Sequence, residues 1–262
     1  MEFGVFNFEI VNVMEQTGKS FYDVCREVRG MGYKYVEIDL DELDLDKLLI
    51  FRENILHISS IYCFLDFAGD VEERIAKLLK MAYLADVHFV MPIPVRDDTP
   101  ELKAAAIARL GKLCGELAAI GVQMVMEDFD GPGKSFATSS GLKSYLDAIP
   151  ACRCCFDTGN FIHCGENVEQ ALAFFRKDIV HIHAKDRRND EKYGKFSHTN
   201  ADGSRVSGAP VGCGILPLEK IVNSLVNDGF EGIIIAEHSC CSDQQAALLE
   251  SITNLKKWCG QE

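Results

Sequence analysis

The sequence has no long hydrophobic run and no basic cluster, and both absences limit what the protein can be. No stretch of its 262 residues approaches the ~18 to 20 consecutive apolar residues of a membrane-spanning helix. The formal net charge is −13 at pH 7, and lysines and arginines are scattered. Nucleic acids and anionic membranes are bound by clustered basic side chains, so we predict that neither is a partner.

Cysteines are frequent, but the spacings typical of zinc sites are missing. Of the eleven cysteines, Cys152, Cys154 and Cys155 share one predicted strand, and Cys240 and Cys241 are adjacent. Neither group has C-x-x-C spacing, and the chain is too long for a disulfide-dense scaffold. Buried free thiols are the better interpretation. The first residues also lack the basic start of a signal peptide, so we predict a cytoplasmic protein.

A glycine-rich turn after the first predicted strand is also absent, which disfavours a dinucleotide-binding open sheet. Instead, eight apolar strand-like runs alternate with eight helical patterns. The first predicted strand covers residues 3–10, and the first predicted helix covers about residues 20–31. This rhythm and length predict an α/β protein with a single domain over residues 1–262, a (β/α)₈ TIM barrel.

One predicted connection is longer than the others of the barrel. Residues 187–216 are too many for an ordinary connection between a strand and a helix, and they are rich in glycine, serine and asparagine. They follow the seventh predicted strand, so they would lie over the carboxyl-terminal rim, where TIM barrels form their active sites. We predict a long loop over this rim that acts as a lid, with a solvated mobile loop as the alternative.

Four reactive side chains close the last four predicted strands. The apolar runs VQMVME, CRCCFD, VHIH and GIIIAE end on Glu127, Asp157, His183 and Glu237. Parallel barrel strands bring their ends to one rim, and alternation along each strand turns these side chains inward. Two glutamates, an aspartate and a histidine suit a divalent ion and leave carboxylates for proton transfer. The sequence therefore predicts a metal centre at this rim.

Further segments resemble the xylose isomerase-like TIM-barrel superfamily of sugar and sugar-phosphate isomerases and epimerases, which includes AP endonuclease family 2. The matching segments, in chain order, are VEIDL, MVMED, FDTGN, HIHAKD, GCGILPLEKIVNSL and IIIAEHS. The resemblance implies that Glu127, Asp157, His183 and Glu237 together bind one divalent metal ion per chain. Mn²⁺ is the first choice for this oxygen-rich set, with Mg²⁺, Co²⁺ or Zn²⁺ as alternatives.

Five more residues are predicted to bind the substrate. Glu37 matches an inward polar group of the family, although a supporting salt bridge explains it equally well. Alternation along VHIHAKD places His181 and Lys185 on the same inward face as the histidine ligand. Lys185 and Arg187 would supply positive charge for a phosphate or carboxylate. Asn160 takes the place where ketose 3-epimerases of free sugars typically have a histidine, which favours sugar phosphates or cyclitols.

The mechanism implied by this arrangement assigns catalysis to Glu127 and Glu237. Their strands lie three apart in an eight-strand ring, so the carboxylates can face one another across a substrate. One glutamate would remove a proton beside the carbonyl of an α-hydroxy ketone, and the other would return one to the opposite face. The resulting metal-stabilised enediolate is shared by several reactions. We predict 3-epimerisation of a ketose or ketose phosphate, with an inosose-type dehydratase or isomerase as the alternative.

Two functions of other classes remain open from the sequence. An endonuclease-IV-like phosphodiesterase would share the barrel, but it would need more histidines at strand ends and a less acidic surface. A non-catalytic subunit would keep the barrel for assembly alone. We predict a small-molecule sugar or sugar phosphate as the partner, and a homo-oligomer is compatible with the family.

Overall fold

Eight parallel strands close into a barrel in the computed structural model, which describes residues 1–129, 131, 133–238 and 240–261. The barrel strands are β1 (Glu2–Phe6), β2 (Tyr35–Asp39), β3 (His57–Leu65), β4 (Phe89–Pro94), β5 (Gln123–Met126), β6 (Arg153–Asp157), β7 (Ile179–Arg188) and β10 (Ile233–Glu237). Their order is β10-β1-β2-β3-β4-β5-β6-β7, and β7 pairs with β10 to close the ring. The predicted single-domain (β/α)₈ TIM barrel is therefore confirmed.

Helices on the outside cover the apolar faces of these strands. They are α1 (Asn7–Thr17), α2 (Phe21–Met31), α3 (Leu45–Glu53), α4 (Glu72–Ala85), α5 (Pro100–Ala118), α6 (Ser139–Ala148), α7 (Val168–Phe175), α8 (Leu218–Asn227) and α9 (Gln244–Trp258), with a short 3₁₀ helix at Phe161–Cys164. Local signals set their ends: the Thr99 hydroxyl accepts a hydrogen bond from the Leu102 N–H, and Pro100 opens α5. None of the helices in the described part of the chain is long and apolar enough to cross a membrane.

The first strand is shorter than the sequence predicts, because a helix begins inside the expected strand. β1 ends at Phe6, and residues 7–17 form α1 instead of extending the strand to residue 10. Glu9 explains the early turn: its Oε2 accepts a hydrogen bond from the Phe6 N–H at 3.1 Å. Its Oε1 accepts from the His238 N–H at 2.7 Å. This buried carboxylate ties the start of α1 to the end of β10.

The long segment after the seventh barrel strand contains regular structure. β7 continues five residues beyond His183 to Arg188, and β8 (Phe196–Thr199) and β9 (Arg205–Ala209) form an antiparallel hairpin. β9 pairs antiparallel with the extension of β7, Asp186 opposite Ala209 and Arg188 opposite Ser207. Part of the predicted loop 187–216 is thus a ribbon that extends the barrel wall beyond the rim.

A small hydrophobic cluster fills the inside of the barrel. Phe6, Ile233 and Ile235 are buried there, with Phe8, Tyr35, Tyr62 and Phe89 packed against them. Gly4 allows this close packing, since a β-carbon at that position would lie 2.5 Å from Ile235 Cδ1 and 2.8 Å from the Tyr35 carbonyl oxygen. The barrel interior is therefore solid, and the free space lies above this plug, at the carboxyl ends of the strands.

Candidate metal centre and active site

His183 lies at the centre of three carboxylates that come from three other strands. Its Nδ1 is 2.8 Å from Glu127 Oε2, 3.6 Å from Glu237 Oε2 and 3.9 Å from Asp157 Oδ2. Glu127 directly follows β5, while Asp157 and Glu237 are the last residues of β6 and β10. The structure therefore brings together all four residues that the sequence assigns to the metal.

The other side of the His183 ring is held by a buried carboxylate from β2. Glu37 Oε2 lies 3.1 Å from His183 Nε2 and 2.8 Å from His181 Nε2. Histidines that ligate metals commonly present one nitrogen to the ion and bond the other to a carboxylate, which fixes the ring orientation. Glu37 is placed to do this for His183, with Nδ1 left facing the three carboxylates.

The pKa values of these groups reflect their burial and their close neighbours. Burial opposes ionisation of Glu37, but His183 and His181 outweigh it and lower the pKa of Glu37 to about 2. Burial raises the pKa of Glu127, with nearby Asp157 adding to the effect and His183 opposing it. Burial would lower the pKa of His183, yet Cys155, Glu37 and Glu127 raise it well above its usual value. The site thus holds excess negative charge that attracts cations.

A lysine ammonium lies inside the same group of carboxylates. Lys185 Nζ is 2.7 Å from Glu237 Oε1, 2.9 Å from Asp157 Oδ2 and 3.0 Å from Asn160 Oδ1. The Asn160 amide in turn donates to the Asp128 carbonyl oxygen at 2.9 Å. Two of the predicted substrate-binding residues therefore join the predicted metal ligands in one network.

The donor set fits a divalent cation. Three carboxylates, those of Glu127, Asp157 and Glu237, lie around His183 Nδ1, and the last two also hold the Lys185 ammonium. Glu127, Asp157 and His183 place one ligand atom each within 4.8 Å of one another. Hard oxygen donors with a single imidazole suit Mg²⁺ or Mn²⁺ better than a thiolate-preferring ion.

A small cavity opens directly onto this group. It has a volume of about 130 Å³, and its described lining is mainly apolar. The lining residues are Phe6, Phe8, Tyr62, Phe64, Met91, Ile93, Glu127, Phe129, Asn160, Lys185 and Glu237. The Glu127 and Glu237 side chains are 9% and 12% exposed, whereas those of Asp157 and His183 are fully buried. The two glutamates are therefore the predicted ligands that reach the cavity.

The remaining predicted substrate-binding residues lie outside this described lining. Glu37 and His181 stand behind His183, and the Phe89 ring packs on His181 with centroids 4.7 Å apart. Arg187 is buried, with its Nε 3.5 Å from the Gly159 carbonyl oxygen and its Nη1 3.5 Å from His198 Nδ1. These three residues support or enclose the site.

Sequence reasoning missed the aromatic walls and the anchor of the loop after β9. Alternation along β3 could have found Tyr62 and Phe64, since both belong to the strand face that reaches the cavity. Gly212 and Gly214 form this anchor with a carboxylate of β7. Asp186 Oδ2 accepts hydrogen bonds from the Gly212 and Gly214 N–H groups at 3.1 and 2.8 Å.

Comparison with known proteins agrees with this architecture. Residues 25–258 match the family described as xylose isomerase-like TIM barrel. No curated protein sequence matches the chain.

Three solved structures with similar folds cover nearly all of the chain. Probable 3-DHS dehydratase AsbF from Bacillus anthracis has a TM-score of 0.77 and 15% identity, over 98% of this chain and 99% of that one. D-allulose 3-epimerase from Methylomonas sp. has a TM-score of 0.73 and 13% identity, over 98% of each chain. A xylose isomerase-like TIM barrel protein from Mycobacterium smegmatis, in complex with magnesium, has a TM-score of 0.70 and 17% identity, over 92% and 89%. At these identities the likeness concerns the fold.

The family match spans most of the chain, and it agrees with the closed parallel barrel and with the side chains gathered at its carboxyl rim. The prediction of an enzyme of this superfamily is confirmed: the chain belongs to the xylose isomerase-like TIM-barrel family.

Proposed function

We propose that the protein is a divalent-metal-dependent isomerase or epimerase that moves a proton beside the carbonyl of an α-hydroxy ketone. The observation that carries this proposal is His183 Nδ1, which faces three carboxylates while two of them, Glu127 and Glu237, also line the cavity. Epimerisation at carbon 3 of a ketose is the reaction we favour.

Glu127, Asp157, His183 and Glu237 would hold one divalent ion, with Mn²⁺ or Mg²⁺ the best matches for these donors. Such an ion supplies a Lewis acid that polarises the ketone and stabilises the charge of the enediolate. The magnesium complex of the Mycobacterium smegmatis protein supports the presence of a metal in this family.

The chain's own residues carry the proton. Burial raises the pKa of Glu127 toward neutral pH, and a carboxylate with a raised pKa is a better base than that of an exposed glutamate. Glu127 removes the proton from the carbon beside the ketone, and Glu237, which ends β10 on the opposite flank of β7, returns one to the opposite face. Proton return to the opposite face inverts the carbon.

Dehydration is a second candidate, and Lys185 is the residue that favours it. Its ammonium lines the cavity and is held by Asp157 and Glu237. An ammonium in that position can donate a proton to a β-hydroxyl as it leaves, after the first proton has been removed. The same enediolate would then lose water instead of being protonated again.

The test is proton NMR in D₂O with ketoses, ketose phosphates and inosose, using metal-depleted and Mn²⁺- or Mg²⁺-reloaded protein. We expect metal-dependent loss of one carbon-bound proton signal, and the product signals distinguish epimerisation from dehydration. Glu127→Gln and Glu237→Gln should each slow this exchange at least ~100-fold, while the exposed control Glu53→Gln leaves it unchanged. Normal exchange in Glu127→Gln would exclude that residue as the base.

A further inference from the structure

Among the described residues, the walls of the cavity offer few partners for the hydroxyl groups of a sugar. Six of the described lining residues are apolar, namely Phe6, Phe8, Phe64, Met91, Ile93 and Phe129, and Tyr62 adds an aromatic ring with a single hydroxyl. Four of the rings form a continuous aromatic surface. The distance between ring centroids is 5.9 Å from Phe6 to Tyr62, 6.2 Å from Tyr62 to Phe64 and 6.3 Å from Phe64 to Phe129. All three contacts are edge-to-face packings that fix the wall.

The carboxylate, ammonium and amide groups of the described lining form one connected group, and they already have partners. Lys185 is bonded to Asp157, Glu237 and Asn160, and the Asn160 amide donates to a backbone carbonyl. A hydroxyl buried against the apolar side chains would lose its hydrogen bonds to water without replacement, which disfavours its binding. The walls therefore select against hydroxyls on the part of the substrate remote from the reacting carbons.

The surrounding charges are equally unsuited to a phosphate. Lys185 is the one basic side chain in the described lining, and two carboxylates already hold it. Arg187 is buried beside the Gly159 carbonyl, and Arg188 pairs with Asp190. A phosphate dianion in this cavity would have to give up its hydration for aromatic walls and nearby carboxylates, which is strongly unfavourable.

We infer that the substrate is a small unphosphorylated ketose-type compound whose end remote from the reacting carbons is deoxygenated, a methyl or methylene group in place of a hydroxyl. This inference rests on the proposed function and narrows its substrate class. The small volume of the cavity, about 130 Å³, lies below the ~300–1,000 Å³ of pockets for drug-sized ligands and agrees with a compact substrate.

Three compounds with the same reacting carbons test the inference: 5-deoxyribulose, ribulose and ribulose 5-phosphate, each in D and L forms. They place hydrogen, hydroxyl or phosphate at carbon 5. With the Mn²⁺-loaded protein, proton exchange in D₂O should follow that order in kcat/KM, with the deoxy compound ahead of ribulose by about 10- to 100-fold.

Variants of Phe64 link the preference to the wall. This residue is partly exposed at the cavity mouth, so the fold should tolerate its replacement. Phe64→Asn should reduce the ratio of kcat/KM for 5-deoxyribulose over ribulose at least ~5-fold, because the amide offers hydrogen bonds to the hydroxyl. Phe64→Leu, which stays apolar, should keep the ratio.

The outcomes separate this inference from the proposed function. Exchange that is equal or faster with ribulose or its phosphate would overturn the inference and leave the proposed function standing. An unchanged ratio in Phe64→Asn would show that this wall does not set the preference. Absence of exchange with all three compounds would overturn the proposed function, and the inference with it.

Discussion

Glu37 illustrates how one buried residue can control a site that it does not enter. Its carboxylate binds the Nε2 atoms of both His181 and His183, and its own pKa falls to about 2 because the two imidazoles outweigh the effect of burial. A carboxylate that stays ionised over the whole physiological range keeps His183 Nδ1 directed at the three carboxylates of the proposed metal site. Its contribution to metal binding is therefore expected to be indirect but large.

Glu37→Gln should weaken binding of Mn²⁺ by about 10- to 100-fold, the usual effect of losing such a supporting carboxylate. Equilibrium dialysis followed by elemental analysis gives the affinity directly. His183→Ala, which removes the ligand itself, should retain little metal, and Glu53→Gln on the surface serves as the control. A Glu37→Gln protein that binds Mn²⁺ as the parent does would contradict the supporting role.

Lys185, in contrast to Glu37, is expected to weaken metal binding. Its ammonium lies within 2.9 Å of Asp157 and Glu237, two of the proposed ligands, so it competes with a divalent ion for the same negative charge. Lys185→Met should therefore bind Mn²⁺ roughly tenfold more tightly, a gain of about 1.4 kcal/mol. Titration calorimetry measures the change, with Lys192→Met on the exposed ribbon connection as the control. Weaker binding in Lys185→Met would mean that the lysine organises the ligands instead of competing with the ion.

At the scale of elements, the connection between β9 and α8 is fixed by one aspartate from β7. Asp186 accepts hydrogen bonds from the N–H groups of Gly212, Gly214 and Leu216, at 3.1, 2.8 and 3.2 Å. The backbone approaches so closely that a β-carbon on Gly214 would lie 2.1 Å from Asp186 Oδ1 and 2.4 Å from the Arg187 carbonyl oxygen. This contact fixes the loop beside the strand that carries His183 and Lys185.

Gly214→Ala should consequently lower the free energy of unfolding by about 1–3 kcal/mol, the usual cost of overpacking. Gly111→Ala is the matched control, since Gly111 lies within α5 with open space at its β-carbon position. That substitution should raise stability by about 0.5–1 kcal/mol through the better helix propensity of alanine. Urea unfolding of both variants provides the comparison, and equal stability of Gly214→Ala and the parent would refute the contact.

The sequence predicts best those elements whose pattern of apolar residues follows directly from their burial. Apolar runs ending on Glu127, Asp157 and Glu237 identified the strand ends, because a buried parallel strand has a distinct composition and length. The predicted first strand is too long because residues 7–10 alternate polar and apolar side chains, as a strand does. The deciding contact, Glu9 with the His238 N–H, joins residues at opposite ends of the chain. Local patterns carry no such information.

The absence of long-range contact information in local patterns also explains what the sequence could not predict about the site. Strand alternation predicted that His183 and Lys185 face inward, but it could not reveal that Glu37 supports the histidine or that Lys185 bonds to two proposed ligands. Arg187 was assigned to the substrate from its charge, and the structure buries it beside Gly159. The lid role of residues 187–216 stays a prediction, although the hairpin of β8 and β9 gives this segment a defined shape.

At the scale of the whole molecule, the barrel gathers negative charge from strands that are far apart in the sequence. Glu37 and Glu237 are two hundred residues apart, yet both lie within 4 Å of the His183 ring nitrogens. The chain is also acidic overall, with a formal charge of −13. Folding must therefore bring like charges together, and a bound divalent ion would offset the resulting repulsion.

A metal that binds only the folded barrel should therefore raise its thermal stability. At a free Mn²⁺ concentration of 100 times its dissociation constant, the expected stabilisation is about 2.7 kcal/mol, or roughly 5–10 °C in Tm for a domain of this size. Differential scanning calorimetry with and without Mn²⁺ measures the shift, and His183→Ala should abolish it. An equal shift in His183→Ala would place the bound ion elsewhere on this acidic surface. A shift confined to the parent would connect the stability of the whole barrel to the four residues at its carboxyl rim.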